Sequence, residues 1–400
     1  MSKEKSGSWG QVTEQALEKL LERKGVERSK KGTLQRGYLE PNPWDDSYGK
    51  ANFLVSRENV MRLARGISDM NPLYVDYEYA KKSQWGEMVI PPGLLAYGET
   101  VNGATDGFPG CHTIWRGVEF EWSQQMLADQ PYNISTHLND AKLVDSKFAG
   151  GKAAIQEYET VARTLGGDQV GAYRTSWHRF SRKKATGASK YDKMSRHVWT
   201  EDELESVWEE YRTHNLKNRR GNEPLYFEDV EIGTKVPHLI KGPVTMTSKL
   251  AFEFLRGAGG WLVGHELAMQ LWDESPNLAI RNEENVPEPP LAIHWTNERC
   301  EKYLGMPGAY EAGYERLHWY TQLLMSWMGD HGLMRNLKVD FLAFHWQGDA
   351  IRLHAEVTDK RVENGEHLID LVVSTTSHPR GDQTSKGKAT VQLPSRQEKH

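Results

Sequence analysis

Three polar side chains that could take part in acid–base chemistry lie close together where a helix must end. Asp69, Asn71 and Tyr74 surround Pro72. Apolar residues at positions 60, 63, 64 and 67 recur at the three- and four-residue steps of an amphipathic helix, and Pro72 cannot simply continue it because proline has no N–H. A helix end exposes backbone groups that a polar ligand can use. The stretch therefore predicts either a polar site or an ordinary helix end followed by a turn.

Sequence periodicity predicts the elements that would position these residues. Helices are expected over about 93–105 and 315–329, and strands over 112–126, 132–147, 153–164 and 172–178. Glu119 and Glu121 alternate with apolar neighbours, which is the period of a half-buried strand. One further helix is expected to begin near Thr13, and another at Thr200, where Glu203 completes a capping box.

Two distant parts of the chain are related in sequence at a constant separation. The pairs that lie 214 positions apart are Ala141 and Ala355, Asp145 and Asp359, Gly151 and Gly365, and Gly167-Asp168-Gln169 and Gly381-Asp382-Gln383. Val118-Glu119-Phe120 recurs as Val339-Asp340-Phe341 at a separation of 221, which one small loop insertion explains. The series indicates an internal duplication. It divides the chain into a lead-in with a helix (1–50), a first repeat (51–182), a linker with a helix (183–224) and a second repeat (225–400).

The stretch around Asp69 also resembles a known family signature. Residues 68–76, Ser-Asp-Met-Asn-Pro-Leu-Tyr-Val-Asp, resemble the G-D-x-N-P-x-H-x-D motif of MaoC-like, R-specific enoyl-CoA hydratases and dehydratases. The resemblance implies an α+β double hot-dog fold, with two antiparallel sheets each wrapped around a central helix. It also implies that an aspartate and a histidine add water to an enoyl thioester. Here Ser68 replaces the motif glycine and Tyr74 replaces the motif histidine, as in first halves of two-repeat members that bind the acyl chain without chemistry.

Other stretches extend the resemblance to about residues 45–182 and 225–395. Residues 86–94 resemble the segment that leads into the family's central helix, and residues 294–330 resemble the second halves of two-repeat members. Asp69 and Tyr74 are thus candidate catalytic residues of the first repeat. The expected substrate-binding residues are Asn71, Pro91, Gly93, Tyr310 and Gly313.

In the second repeat, His294 falls on the motif histidine. The position five residues earlier is Pro289, and Glu288 lies one residue further back. Glu288 and His294 therefore form either a working acid–base pair or an exposed loop acid beside a packed histidine. His265 is an alternative motif histidine without an acidic partner, and we expect a structural role for it. The basic residues Arg182, Lys183 and Lys184 would either clamp the phosphates of coenzyme A or belong to a solvated linker.

The resemblance predicts reversible hydration of a 2-enoyl-CoA, or dehydration of a 3-hydroxyacyl-CoA, with no cofactor beyond the CoA thioester of the substrate. Two incomplete motifs keep a non-catalytic acyl-thioester binding subunit open, and hot-dog thioesterases supply a third hypothesis. Exposed sheet edges need cover, so either the two sheets join or a second chain packs there. A homodimer is the expected assembly.

Composition restricts the remaining classes of function. Among 400 residues, 38% are hydrophobic, 26% are charged and the net charge is −5, which argues against a protein that coats nucleic acid or anionic membranes. No run of about 18 apolar residues is present, and the first ten residues lack an apolar signal segment, so we expect a cytoplasmic protein. Two cysteines and scattered histidines predict no metal site. Fourteen tryptophans suit either an aromatic-lined pocket or a packed core.

Overall fold

A computed structural model describes residues 10–28, 53–101, 103–104, 106–181, 196–256, 262, 264–274 and 279–397. The basic residues Arg182, Lys183 and Lys184, and most of the lead-in before residue 51, lie outside this part of the chain. Within it, no helix is long and apolar enough to cross a membrane.

The described residues form twelve strands and nine α-helices, numbered here in chain order. The strands are β1 (Phe53–Leu54), β2 (His112–Trp122), β3 (Pro131–Ser146), β4 (Gly151–Arg163), β5 (Gln169–Phe180), β6 (Lys235–Lys241), β7 (Ile280–Arg281), β8 (Pro287–Glu288), β9 (Leu333–Phe341), β10 (Ala350–Glu363), β11 (Glu366–His378) and β12 (Gln383–Gln392). The helices are α1 (Glu14–Leu21), α2 (Arg57–Ile67), α3 (Pro72–Val75), α4 (Tyr77–Lys82), α5 (Glu201–Glu210), α6 (Met246–Leu255), α7 (His265–Glu274), α8 (Asn297–Leu304) and α9 (Gly313–Met328). The predicted capping box of Thr200 and Glu203 begins α5.

Ten strands form one continuous antiparallel sheet, in the order β1-β3-β4-β5-β2-β9-β12-β11-β10-β6. The expected arrangement of two separate sheets is therefore not what the structure has. The two halves join because β2 pairs with β9, with Val118 opposite Val339 and Phe120 opposite Leu337. This pairing satisfies the backbone groups that two separate sheets would leave at their edges. The expectation that the sheets join is confirmed.

The strands of the first repeat match those of the second repeat when they are shifted by the separations found in the sequence. A shift of 214 positions carries β3, β4 and β5 almost onto β10, β11 and β12, and a shift of 221 carries the start of β2 onto the start of β9. A shift of 220 carries α4 onto the start of α8, and it carries the N-cap residue Asp76 onto the N-cap residue Thr296. The duplication is thus visible in the order and spacing of the elements.

The two central helices differ from each other. The second is α9, a long helix with most of its side chains buried, close to the predicted 315–329. The first was predicted over 93–105, but the chain there forms only a 3₁₀ helix over Pro92–Gly98 and then turns. Proline and glycine at both ends of this segment are poor helix formers. A Cβ at Gly98 would lie 2.5 Å from Ile134 Cδ1, so a regular helix with larger residues has no space here.

The outer edge of the sheet at β6 is covered by a side chain. A π-helical turn over Tyr211–Asn215 follows α5 and lies beside β6. Asn215 Nδ2 donates to the Ile240 carbonyl at 2.8 Å, and the Ile240 N–H donates to Asn215 Oδ1 at 3.0 Å. One amide side chain thereby pairs with a residue of the strand as a neighbouring strand would.

Candidate functional site

The motif residues of the first repeat lie between α2 and α3. Ser68 ends α2 in the left-handed conformation (φ 55°), and Asn71 begins α3 because its Oδ1 accepts the Leu73 N–H at 3.0 Å. Pro72 occupies the first turn of α3, where a missing N–H costs nothing. The helix break predicted from the sequence is present, and the side chain of Asn71 is used to cap a helix.

Asp69 is buried and held by a residue from outside the first repeat. Its Oδ1 accepts from Arg219 Nη2 at 2.6 Å, and only 4% of the Asp69 side chain is exposed. Burial raises the pKa of Asp69, while Arg219 and Lys241 act in the opposite direction. Tyr74 is buried beside it, and burial raises the pKa of its phenol well above the usual value. Neither group meets bulk water, so this cluster is poorly suited to activate a water molecule.

The second repeat also contacts the end of α2. Lys241 Nζ donates to the Ile67 carbonyl at 2.8 Å, and Gln322 Nε2 donates to the Ser68 carbonyl at 3.2 Å. These carbonyls are among those that a helix end leaves without an intrahelical partner. Asp69 and its neighbours thus join the first repeat to the connecting segment and to the second repeat.

His294 occupies the equivalent position of Tyr74 in the second repeat, 220 residues later. It ends a 3₁₀ helix over Pro290–His294 and is half-buried. Its Nδ1 lies 2.9 Å from the Tyr310 carbonyl oxygen, which can only accept, so Nδ1 carries the hydrogen. Burial lowers the pKa of His294 to about 4, so the ring is neutral near pH 7 and Nε2 is an acceptor. A neutral histidine in this tautomer is suited to take a proton from water.

Glu288 has partners other than His294. Its carboxylate accepts from Arg299 Nη1 at 2.8 Å and from Asn282 Nδ2 at 3.0 Å. Glu288 lies in β8, in a two-stranded sheet with β7, which directs it to these neighbours. The structure therefore does not bring Glu288 and His294 together as a hydrogen-bonded pair. His265, the alternative histidine, lies exposed at the first residue of α7.

The expected substrate-binding residues lie along the approaches to the central helices. The ring centroids of His294 and Tyr310 are 4.6 Å apart. A Cβ at Gly93 would lie 3.0 Å from His318 Nδ1, and a Cβ at Gly313 would lie 2.7 Å from the Trp115 ring, so both glycines permit close packing. Pro91 lies in a shallow cleft that it shares with Trp122, Leu333 and others.

Several buried charged residues near the start of α9 were not predicted. Lys249 and Glu253 lie one helical turn apart on α6, are 2% exposed each, and are followed by Arg256. Arg256 Nε donates to Glu253 Oε2 at 2.7 Å, while Glu253 Oε1 is buried and has no hydrogen-bond partner among the described residues. Glu315, in the first turn of α9, is also buried, and burial raises its pKa well above the usual value. The signal in the sequence was the spacing of Lys249 and Glu253 on an otherwise apolar helix.

The start of α9 completes this region. Ala312 is the N-cap residue and offers no side-chain acceptor to the N–H groups of the first turn. Such N–H groups can bind an oxygen that carries negative charge. No cluster of potential metal ligands occurs within the described ranges.

Comparisons with known proteins find similarity to dehydratases in sequence and in fold. The sequence model of the FAS1-like dehydratase domain region matches residues 46–172. UPF0336 protein Franean1_6066 from Parafrankia sp. (strain EAN1pec) is 26% identical over 118 residues, which are 30% of this chain and 68% of that protein. A solved structure of a MaoC-like dehydratase superposes with a TM-score of 0.62 and 15% identity, over 94% of this chain and 100% of its own. The similarity to the MaoC-like hot-dog family that the motifs indicated is therefore confirmed, in sequence over the first repeat and in fold over nearly the whole chain.

Proposed function

We propose that the protein catalyses the reversible hydration of a 2-enoyl thioester, or the dehydration of a 3-hydroxyacyl thioester, at His294 in the second repeat. The observation that carries this proposal is the state of His294. It takes the position of the motif histidine, it is half-buried, and its Nδ1–H···O=C bond to Tyr310 leaves Nε2 as a proton acceptor.

Each step can be assigned to groups of this region. Nε2 takes a proton from water as the water oxygen bonds to Cβ of the enoyl thioester. The electrons of the C=C bond move toward the thioester, and negative charge develops on its oxygen. The first-turn N–H groups of α9 stabilise that charge. The protonated imidazole then gives its proton to Cα, which yields the 3-hydroxyacyl thioester and restores neutral His294.

The first repeat has a supporting role in this proposal. Asp69 is bound by Arg219, and Asn71 caps α3, so we propose that Asp69 joins the first repeat to the connecting segment and that Asn71 fixes the start of α3. Coenzyme A is the proposed carrier of the acyl group. Glu288 is not assigned a proton-transfer role because Arg299 and Asn282 bind its carboxylate.

The test compares one variant in each repeat. We expect His294→Ala to lower kcat for hydration by about 10²–10⁴-fold, because it removes the proton acceptor. Asp69→Asn should leave kcat within about tenfold. The measurement is the change in enoyl-thioester absorbance with a panel of enoyl-CoAs, on variants matched for folded content by circular dichroism.

Other outcomes identify the alternatives. If Asp69→Asn abolishes hydration and His294→Ala does not, the chemistry belongs to the first repeat. Release of free CoA without hydration would indicate a thioesterase. Binding of acyl-CoA without turnover, from the wild-type protein, would indicate a non-catalytic subunit.

A further inference from the structure

Lys249 is a buried cation with an uncharged hydrogen-bond partner. Its Nζ donates to Gln347 Oε1 at 3.0 Å, and the residue is 2% exposed. Among the described residues, no carboxylate forms an ion pair with this ammonium group. An ammonium has three N–H donors, and burying it is costly unless anions or acceptors surround it. This arrangement leaves donors of Lys249 available to a ligand.

Backbone hydrogen bonds place Lys249 beside the segment that holds His294. The Gln347 N–H donates to the Ala309 carbonyl at 2.8 Å, and the next residue, Tyr310, accepts from His294 Nδ1 at 2.9 Å. An isolated β-bridge between Tyr310 and Trp346 fixes these two segments against each other. Lys249 and His294 are thus attached to two segments that are bridged to each other, three residues before α9 begins at Gly313.

We propose that Lys249 is a further catalytic residue, whose ammonium group binds the thioester oxygen and stabilises the enolate that forms when water adds to Cβ. The assignment rests on the function proposed for His294. A fixed cation beside developing negative charge is worth most where water is excluded.

The charge of Lys249 gives the proposal a pH signature. Burial lowers the pKa of Lys249 to about 8, with Cys300, Glu311 and Glu315 acting in the opposite direction. The ammonium is therefore mostly protonated at pH 7 and is neutralised above about pH 8. We expect kcat/KM of the wild-type enzyme to fall above this pH. An arginine at position 249 keeps its charge, so the fall should move to higher pH.

The chain offers a matched control in its other buried lysine. Lys241 is 4% exposed, and burial lowers its pKa to about 8. Its Nζ donates to the Ile67 and Ser68 carbonyls at the C-terminal end of α2. We expect Lys249→Met to lower kcat/KM by about 10²–10³-fold, as for loss of one oxyanion donor. Lys241→Met should reduce thermal stability, but it should retain the wild-type turnover and the wild-type fall of kcat/KM at alkaline pH. A bound 3-oxoacyl-CoA should show enolate absorbance with the wild-type protein and with Lys241→Met, and lose it with Lys249→Met.

Two sets of outcomes separate this assignment from the proposed function. If the wild-type protein hydrates enoyl-CoA and His294→Ala abolishes hydration, but Lys249→Met stays within about threefold, only the role of Lys249 is overturned. If Lys249→Met does not fold, the Lys249→Arg variant provides the test. The proposed role of Lys249 is then overturned if kcat/KM of Lys249→Arg falls at the same alkaline pH as that of the wild-type protein. If the wild-type protein does not hydrate enoyl-CoA, or His294→Ala retains full activity, the proposed function fails and the assignment fails with it.

Discussion

Glu99 is a carboxyl group inside the interface between the two repeats. It is 5% exposed, and its Oε2 accepts from the hydroxyl of Tyr314, in the first turn of α9, at 3.0 Å. Burial raises the pKa of Glu99 from 4.5 to about 8, so the folded protein holds a proton here that the unfolded chain has released at neutral pH.

This proton makes stability depend on pH in a defined direction. Between about pH 4.5 and 8 the folded state binds one proton more at Glu99 than the unfolded state, so this contribution to stability is lost as pH rises. Glu99→Gln removes the titration and keeps an acceptor for Tyr314. We expect the free energy of unfolding of the variant, relative to wild type, to increase by about 1–3 kcal/mol from pH 5.5 to 7.5. Urea unfolding at the two pH values measures it, and a pH-independent difference would contradict the protonated state of Glu99.

At the scale of single residues, the sequence indicated the candidate site residues that belong to a local motif. It missed the residues that are distant in sequence and contact the site only in the folded protein. His294 was indicated because it belongs to a continuous segment, residues 294–330, that resembles the second halves of two-repeat members of the family. Arg219 and Lys249 were missed because 150 and 98 positions separate each from its hydrogen-bond partner, Asp69 and Gln347. Glu288 was paired with His294 on spacing alone, and spacing does not show the competing Arg299.

At the scale of secondary-structure elements, the segment that follows α5 connects the two repeats and also contributes an ion pair to the end of α2. It carries Arg219, which ends in an ion pair with Asp69 at the C-terminal end of α2. We expect Arg219→Gln to lower the free energy of unfolding by about 3–5 kcal/mol, because it leaves a buried carboxylate without its cation. The effect of Arg219→Gln on kcat should stay within about tenfold.

A double-mutant cycle isolates this contact. Asp69→Asn should lower the free energy of unfolding less in the Arg219→Gln variant than in the wild-type protein, because the anion and the cation are then removed together. The measurement is urea unfolding of the four proteins. A coupling energy below about 0.5 kcal/mol would show that the pair does not anchor α2.

Helix prediction succeeded for α9 and failed for its counterpart, for a physical reason. The residues of α9 include few glycines and no proline, so local preference and burial agree. The 3₁₀ segment over Pro92–Gly98 begins with proline and contains two glycines, and close packing against His318 and Ile134 decides its form. Such contacts come from residues distant in sequence, and no local pattern reports them.

In the whole molecule, the sheet passes from one repeat to the other without a gap. β2 and β9 pair over five residues of each strand, from Gly117 opposite Asp340 to Glu121 opposite Asn336. We expect residues 1–195 and 196–400, expressed apart, to aggregate or remain unfolded, because each exposes a strand edge whose backbone groups are paired in the whole protein. Expressed together they should copurify as one complex with hydration activity, as measured by size-exclusion chromatography and the enoyl-CoA assay. Soluble, monomeric halves would contradict the shared core.

The duplication itself was readable from the sequence, but the joining of the sheets was only one of two expectations. The 214-residue separation of the matched pairs predicted two related sets of strands. Whether each set would close against its own neighbour or against a second chain depends on which edges meet, and β2 and β9 meet within one chain. The many tryptophans suited either an aromatic-lined pocket or a packed core. Trp115 stacks on Trp177 with ring centroids 5.2 Å apart, so it takes part in core packing.

Asn215 gives the free end of this sheet a further property. Because its amide occupies both the N–H and the carbonyl of Ile240, an incoming strand from another molecule finds no open hydrogen-bonding groups at that residue. Sheets that lack such a stop can grow molecule by molecule into fibres. The homodimer remains a prediction, and Asn215 disfavours a dimer contact in which a strand pairs at Ile240. Asn215 thus opposes the addition of a foreign strand at Ile240, near the end of the seven-residue strand β6.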